Sequence, residues 1–136
     1  MSADYRELVE FQKKVQRMSQ QGKDAFFQEA ANELAGRLLR KVKRRTPTGV
    51  YPHRTGGTLK REWKVGAVRK EGNNYVVELN NPTEYASYVE FGHRTANHTG
   101  WVPGRFMLTI SERELNAIAP RVLQAKLNRW LSEALR

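Results

Sequence analysis

The 136-residue sequence contains no cysteine, which excludes disulfides, thiolate metal sites and cysteine nucleophiles. It also has no apolar run near the roughly 20 residues that span a bilayer, so no membrane association is expected. Its first residues, MSADYRELVEF, are charged throughout and lack the apolar core of a signal peptide, so a cytoplasmic protein is expected. Histidine is scarce, with only His53, His93 and His98, all in expected loops and without the spacing of a zinc-ligand set. Ser87 and Ser111 lack the glycines of a nucleophile elbow. The Thr55-Gly56-Gly57-Thr58 run lacks the Lys-Ser/Thr ending of a phosphate loop and follows no strand. Neither catalytic residues nor a bound metal or cofactor is expected. Glu90 is expected to pair with Arg94 or Arg105 rather than to do acid–base work with His93.

What the sequence does have is positive charge, unevenly placed. The formal net charge is +10. Residues 37–70 hold twelve Lys or Arg against Glu62 alone, leaving twelve bases and thirteen acids elsewhere. That asymmetry suits a polyanion or an acidic partner, with Arg40, Lys43, Arg44, Arg45, Arg54 and Lys60 as candidate contacts. Tyr51 and Trp63 lie among these bases and could stack on nucleic-acid bases. Trp63, however, shares an alternating face with Leu59 and Val65, which suits the core. A solvated helix end and a loop would explain the same run, because acids early and bases late also suit a helix dipole.

The composition, 39% hydrophobic and 28% charged, is that of a globular chain, and its length suits one domain over residues 1–136. Tyr5, Leu8, Phe11, Val15 and Met18 recur at helical spacing after Asp4, predicting an N-terminal helix within 1–22. Phe27, Ala30, Ala31, Leu34, Ala35, Leu38 and Val42 predict a long helix over 23–45, ended by Pro47. Residues 46–58, with two prolines and three glycines, read as a loop. From Leu59 the period becomes two, which predicts strands on either side of a Glu71–Asn74 turn and a hairpin plus third strand over 59–91. Residues 92–104 read as a second glycine-rich loop. Residues 105–136 form a C-terminal helical region in which Pro120 suits a first helical turn. The expected class is α+β, with N-terminal helices and a C-terminal helix packed on a small antiparallel sheet.

Four segments together resemble a known family. They are Arg45–Gly49 (RTPTG), Thr55–Trp63 (TGGTLKREW), Tyr85–Arg94 (YASYVEFGHR) and Arg105–Leu108 (RFML). Their order over roughly residues 25–135 is similar to the head–tail joining, or tail-completion, neck proteins of long-tailed bacteriophages and prophages. The Tyr85–Arg94 stretch is the specific part. His93 stands where the family has Thr, residues 50–54 lengthen the first loop, and Gly100–Pro103 replaces a shorter lead-in.

The resemblance implies a non-enzymatic virion-assembly subunit at the neck, made in the bacterial host cytoplasm. It implies a homo-oligomer, a hexameric ring joining the tail to the capsid connector, with neck, connector and tail proteins as partners. DNA would pass through such a ring. A basic nucleic-acid-binding module using residues 37–70 is the alternative. Within the signature, Tyr85, Tyr88, Glu90, Phe91 and Gly92 are structural candidates. Tyr88 and Phe91 are expected in the core beneath the hairpin, because large aromatics are buried by default. Subunit and partner contacts then fall to the long loops, at Thr48, Gly49, Tyr51, His53, Arg54, His93, Arg94 and Trp101.

Overall fold

A computed structural model of the chain describes residues 20–49 and 56–134. The expected N-terminal helix, and Tyr51, His53 and Arg54, lie outside them. Two long helices frame the fold. Helix α1 spans Gln20–Arg45 and helix α4 spans Met107–Ala134. Between them come α2 (Thr58–Arg61), β1 (Lys64–Val65), β2 (Arg69–Glu71), β3 (Asn74–Val76), β4 (Leu79–Asn80), α3 (Ala86–Phe91), β5 (Gly92–Arg94) and β6 (Trp101–Pro103). Among the described residues all strand pairing is antiparallel, in three two-stranded pieces, so the class is α+β. No helix of the described residues is long and apolar enough to cross a membrane.

Helix α1 forms where the helical period placed it. Phe26, Ala30, Ala35 and Val42 are buried, and Lys43, Arg44 and Arg45 occupy its last turn, where they oppose the dipole's negative end. The two long helices run antiparallel. Arg45 donates to Ser111 and pairs with Glu114 at one end, while Lys126 reaches Glu29 and Glu33 at the other.

Two apolar clusters join the helices. One holds Phe26, Ala30 and Leu127, flanked by Phe27, Leu123, Trp130 and Leu131. The other holds Val42, Leu59, Trp63 and Met107, with Leu38, Leu79, Ala86 and Val89 against it. Each large buried side chain contributes about 1.5–3 kcal/mol relative to exposure. The polar edge of the second cluster is satisfied. Trp63 Nε1 donates to Thr46 Oγ1 at 2.8 Å, and Thr46 in turn donates to the Val42 carbonyl at 2.7 Å.

Four expectations are corrected here. Residues 58–61 form a helical turn rather than the start of a strand. Leu59 and Trp63 are four apart, a spacing that satisfies a two-residue period and nearly satisfies a helical one, so both are buried either way. The third strand expected before residue 91 is helix α3. The expected loop 92–104 is a β-hairpin with Gly92 opposite Pro103, His93 opposite Val102 and Arg94 opposite Trp101. Its tip is closed by Thr95, whose N–H donates to the Gly100 carbonyl at 3.0 Å and whose hydroxyl accepts from the Gly100 N–H at 3.0 Å. Finally, Pro120 sits inside α4 rather than at a helix start. It removes one backbone N–H, but Leu115 and Leu127 on either side are buried, and that packing carries the helix through.

The turn at residues 72–73 is where it was expected, with Gly72 at φ 60°. The hairpin around it shifts register. Val65 faces Leu79, yet Arg69 faces Val76, so three residues (66–68) oppose two (77–78), which is a bulge. Asp24 of α1 anchors the outer strands by accepting from Tyr75 Oη and from Lys70 Nζ. Burial, and then the Asp24 carboxylate, push the Tyr75 phenol above its ordinary range.

Candidate assembly surface

The signature stretch places its residues on two faces of one short helix. Ala86 and Val89 of α3 pack against the second cluster, while Glu90 is buried. Tyr85, Tyr88 and Phe91 recur three apart on the other side, where they are 41%, 58% and 62% exposed. The expectation that Tyr88 and Phe91 are core is thus overturned. The core-facing side of α3 is already filled by its smaller residues, so the aromatic positions are left facing outward.

The β5–β6 hairpin extends this surface. Trp101, Val102 and, just beyond it, Phe106 are also exposed, so all the exposed large hydrophobics among the described residues come from α3, this hairpin and the approach to α4. Phe91 meets Phe106 edge-on with centroids 6.4 Å apart. Tyr88 lies 5.8 Å from the His93 ring, which shares a face with Val102 across the ladder. His93 Nδ1 is enclosed without a hydrogen-bond partner. The Tyr88–His93 and Phe91–Phe106 contacts tie parts of this apolar surface together, and exposed apolar patches are common at interaction sites. Its aromatic composition with a neighbouring arginine, Arg94, is that of interface anchors.

The surface is held rigidly from below. Gly92 has φ 90°, and a Cβ there would lie 2.6 Å from the Val102 carbonyl oxygen and 2.9 Å from Trp101 Nε1. Gly104 is equally tight, since a Cβ would come within 2.4 Å of the Glu90 carbonyl oxygen. The N–H groups of Arg105 and Phe106 donate to the carbonyls of Val89 and Glu90 at 2.7 and 3.0 Å. Glu90 completes the joint. Its carboxylate accepts from the N–H of Leu108 and of Thr109, each at 2.9 Å, and from the Thr109 hydroxyl at 2.7 Å. It therefore caps the first turn of α4, where N–H groups lack intrahelical partners and the dipole favours an anion. The expected pairing of Glu90 with Arg94 or Arg105 is replaced by this cap, because a buried carboxylate needs several fixed donors.

The other candidate positions are scattered. Thr48 and Gly49 lie beside Gly56, at the foot of α2. Among its described residues, much of the basic run is engaged within the fold. Lys41 and Arg45 engage Glu114, Arg69 engages Glu71 and Glu78, Lys64 engages Glu62, and Lys70 engages Asp24. Arg61 is turned onto the Gly56 carbonyl. Arg40 and Arg44 are exposed on α1, and Lys43 and Lys60 are partly covered. Val102 and Phe106 were missed as surface residues. The signal available for the surface was the three-residue spacing of Tyr85, Tyr88 and Phe91, opposed by Ala86 and Val89.

Among the described residues, no group of three or more His, Asp or Glu side chains converges as metal ligands would. Neither the curated proteins nor the solved structures gave a match to the chain. A family model does match, over residues 9–92, more than half of the chain and extending to the first residue of β5. Its description is "Bacteriophage HK97-gp10, putative tail-component". The resemblance drawn from the four sequence segments is borne out at the level of the family, and the chain belongs to the HK97-gp10-like family of bacteriophage tail components.

Proposed function

We propose that this tail component is a non-enzymatic subunit of the neck, joining head to tail as a homo-oligomeric, hexameric ring that docks on the capsid connector within the virion. The observation that carries the reading is the aromatic surface on α3 and the β5–β6 hairpin. Six large hydrophobics lie exposed there on a tightly braced support. A chain acting alone gains nothing from holding Tyr88, Phe91 and Trp101 in water, whereas a subunit that buries them on assembly gains contact area at little entropic cost.

The family membership supports a role among phage structural proteins. Contacts then fall on Tyr85, Tyr88, Phe91, His93, Arg94 and Trp101, with Thr48 and Gly49 as a separate patch. The test is genetic and structural together. A phage carrying Tyr88→Ala and Trp101→Ala in this gene should yield unjoined heads and tails with a large loss of infectivity, because central aromatic anchors are worth about 2 kcal/mol or more each. Normal infectious particles from that phage, or from one lacking the gene, would refute the reading.

A further inference from the structure

We propose that the seam between α1 and α4 around Arg37, Arg121 and Arg129 binds the phosphodiester backbone of duplex DNA. The seam is an open depression of about 360 Å³ lined by Arg37, Arg121, Lys126 and Arg129, with Glu33 as the one lining acid. It differs from the basic run of residues 37–70, since only Arg37 belongs to both and the α4 arginines join it through the fold.

The charges are unequally compensated. Lys126 is held by Glu29 and Glu33 at 3.6 and 3.3 Å. Arg37 reaches Glu33 at 3.4 Å, but its Nε is enclosed without a hydrogen-bond partner. Arg121 and Arg129 have no ion pair among the described residues, and both are exposed. Gathering guanidinium groups in one depression is unfavourable unless an anion completes it.

The pattern along α4 favours a polymer backbone over a small anion. Arg121, Ala125 and Arg129 occupy successive i, i+4 positions, all exposed. The arginines are therefore anchored about 12 Å apart along the helix, a spacing for two phosphates rather than one. Ala125 between them leaves room for close approach. Gln124 and Asn128, linked to each other at 2.9 Å, lie on the adjacent stripe and supply uncharged donors of the kind that hydrogen-bond phosphate oxygens. From Leu115 to Ser132 the helix carries no acid at all. An acidic protein surface would meet the same charges. It would not need this run of small and uncharged polar residues, which suits contact with a uniform anionic backbone.

The experiment uses the full chain and a fluorescent duplex in anisotropy titrations across a salt series. Arg121→Gln with Arg129→Gln is compared with a charge-matched control, Arg105→Gln with Arg113→Gln, each checked for folding by circular dichroism. The seam variant should bind at least about tenfold more weakly, and its log–log salt slope should be shallower by about 1.8, the loss of two phosphate contacts. The control should change less than about twofold, because its arginines lie away from the seam. Four results would overturn the proposal. They are no duplex binding by the wild type at low salt, equal weakening by both variants, displacement of DNA by inorganic phosphate at matched ionic strength, and tighter binding of polyglutamate than of DNA at the seam. None of these readouts depends on particle assembly, so the proposal can fail or stand apart from the neck role.

Discussion

Replacing Glu90 is the sharpest perturbation available in this fold. The residue is 7% exposed, and its carboxylate accepts three hydrogen bonds, two from backbone N–H groups in the first turn of α4. Hydrogen bonds to a charged group contribute about 1.5–3 kcal/mol each, and a buried donor left unsatisfied costs about 1–3 kcal/mol. These losses overlap, and water can reach a partly buried helix start, so the full sum is not expected. Glu90→Ala should cost about 3–4 kcal/mol, a large fraction of the roughly 5–15 kcal/mol that stabilises a typical domain.

Glu90→Gln keeps the shape but removes the charge and turns an amide N–H toward existing donors. It should cost about 2 kcal/mol. In urea denaturation, with a slope of about 2 kcal/mol/M, the midpoint should fall by about 1.5–2 M for the alanine variant and about 1 M for the glutamine variant. A double-mutant cycle with Thr109→Val should give a coupling of about 1 kcal/mol, since the two side chains share one bond. The capping argument fails if Glu90→Ala stays within about 0.5 kcal/mol of wild type, or if Glu90→Gln is indistinguishable from it, because either result would mean the carboxylate is not what holds α4.

Three further outcomes follow from the same geometry. Gly92→Ala places a Cβ against the Val102 carbonyl at φ 90° and should destabilise by about 2–3 kcal/mol in thermal unfolding, whereas a change below 0.5 kcal/mol would mean that the hairpin base relaxes freely. Burial raises the Glu33 carboxyl, but Lys126 and then Arg37 more than offset it, so its pKa lies below the ordinary 4.5 in the folded chain. Its contribution is therefore present above pH 4.5 and is lost as pH falls below that value; with the side chain 35% exposed, Glu33→Gln should remove no more than about 0.5 kcal/mol from the acid limb of the stability curve, and less in high salt. Tyr88→Ser with Phe91→Ser should leave the unfolding free energy within about 1 kcal/mol of wild type while lowering binding of an apolar dye, and a loss above about 3 kcal/mol would return these rings to the core.

The helical period of α1 was plain in the sequence because its apolar residues recur over many turns, from Phe27 to Val42, with Pro47 as a stop. The turn at Gly72 was plain because its chemistry is local. The errors fell where a spacing fits two structures. Leu59 and Trp63 fit a strand or a helical turn equally well, and only packing against Val42 and Met107 decides between them. The β5–β6 hairpin was hidden by its glycines, which mark a loop in sequence but here permit the close approach of two backbones. The cap made by Glu90 was illegible because it joins residues 18 and 19 positions apart, and charge alone favoured a nearby arginine. The basic seam was hidden for the same reason, since Arg121 and Arg129 meet Arg37 only through the helix pairing.

The signature stretch works as one mechanical joint. Ala86 and Val89 seat α3 on the core, Glu90 reaches through to hold the start of α4, and Gly92 lets β5 leave at a backbone angle that a side chain would obstruct. Each inward residue does a different task, so their substitution should be felt in stability. The three aromatic residues between them carry no comparable structural duty, being exposed beside residues that already fill the core side. Stability and surface chemistry are thus written on different positions of the same short segment. That separation explains how a buried acid and exposed aromatics can coexist within seven residues: the acid fixes the orientation of α3 and the hairpin, and the orientation gives the aromatic surface its defined shape.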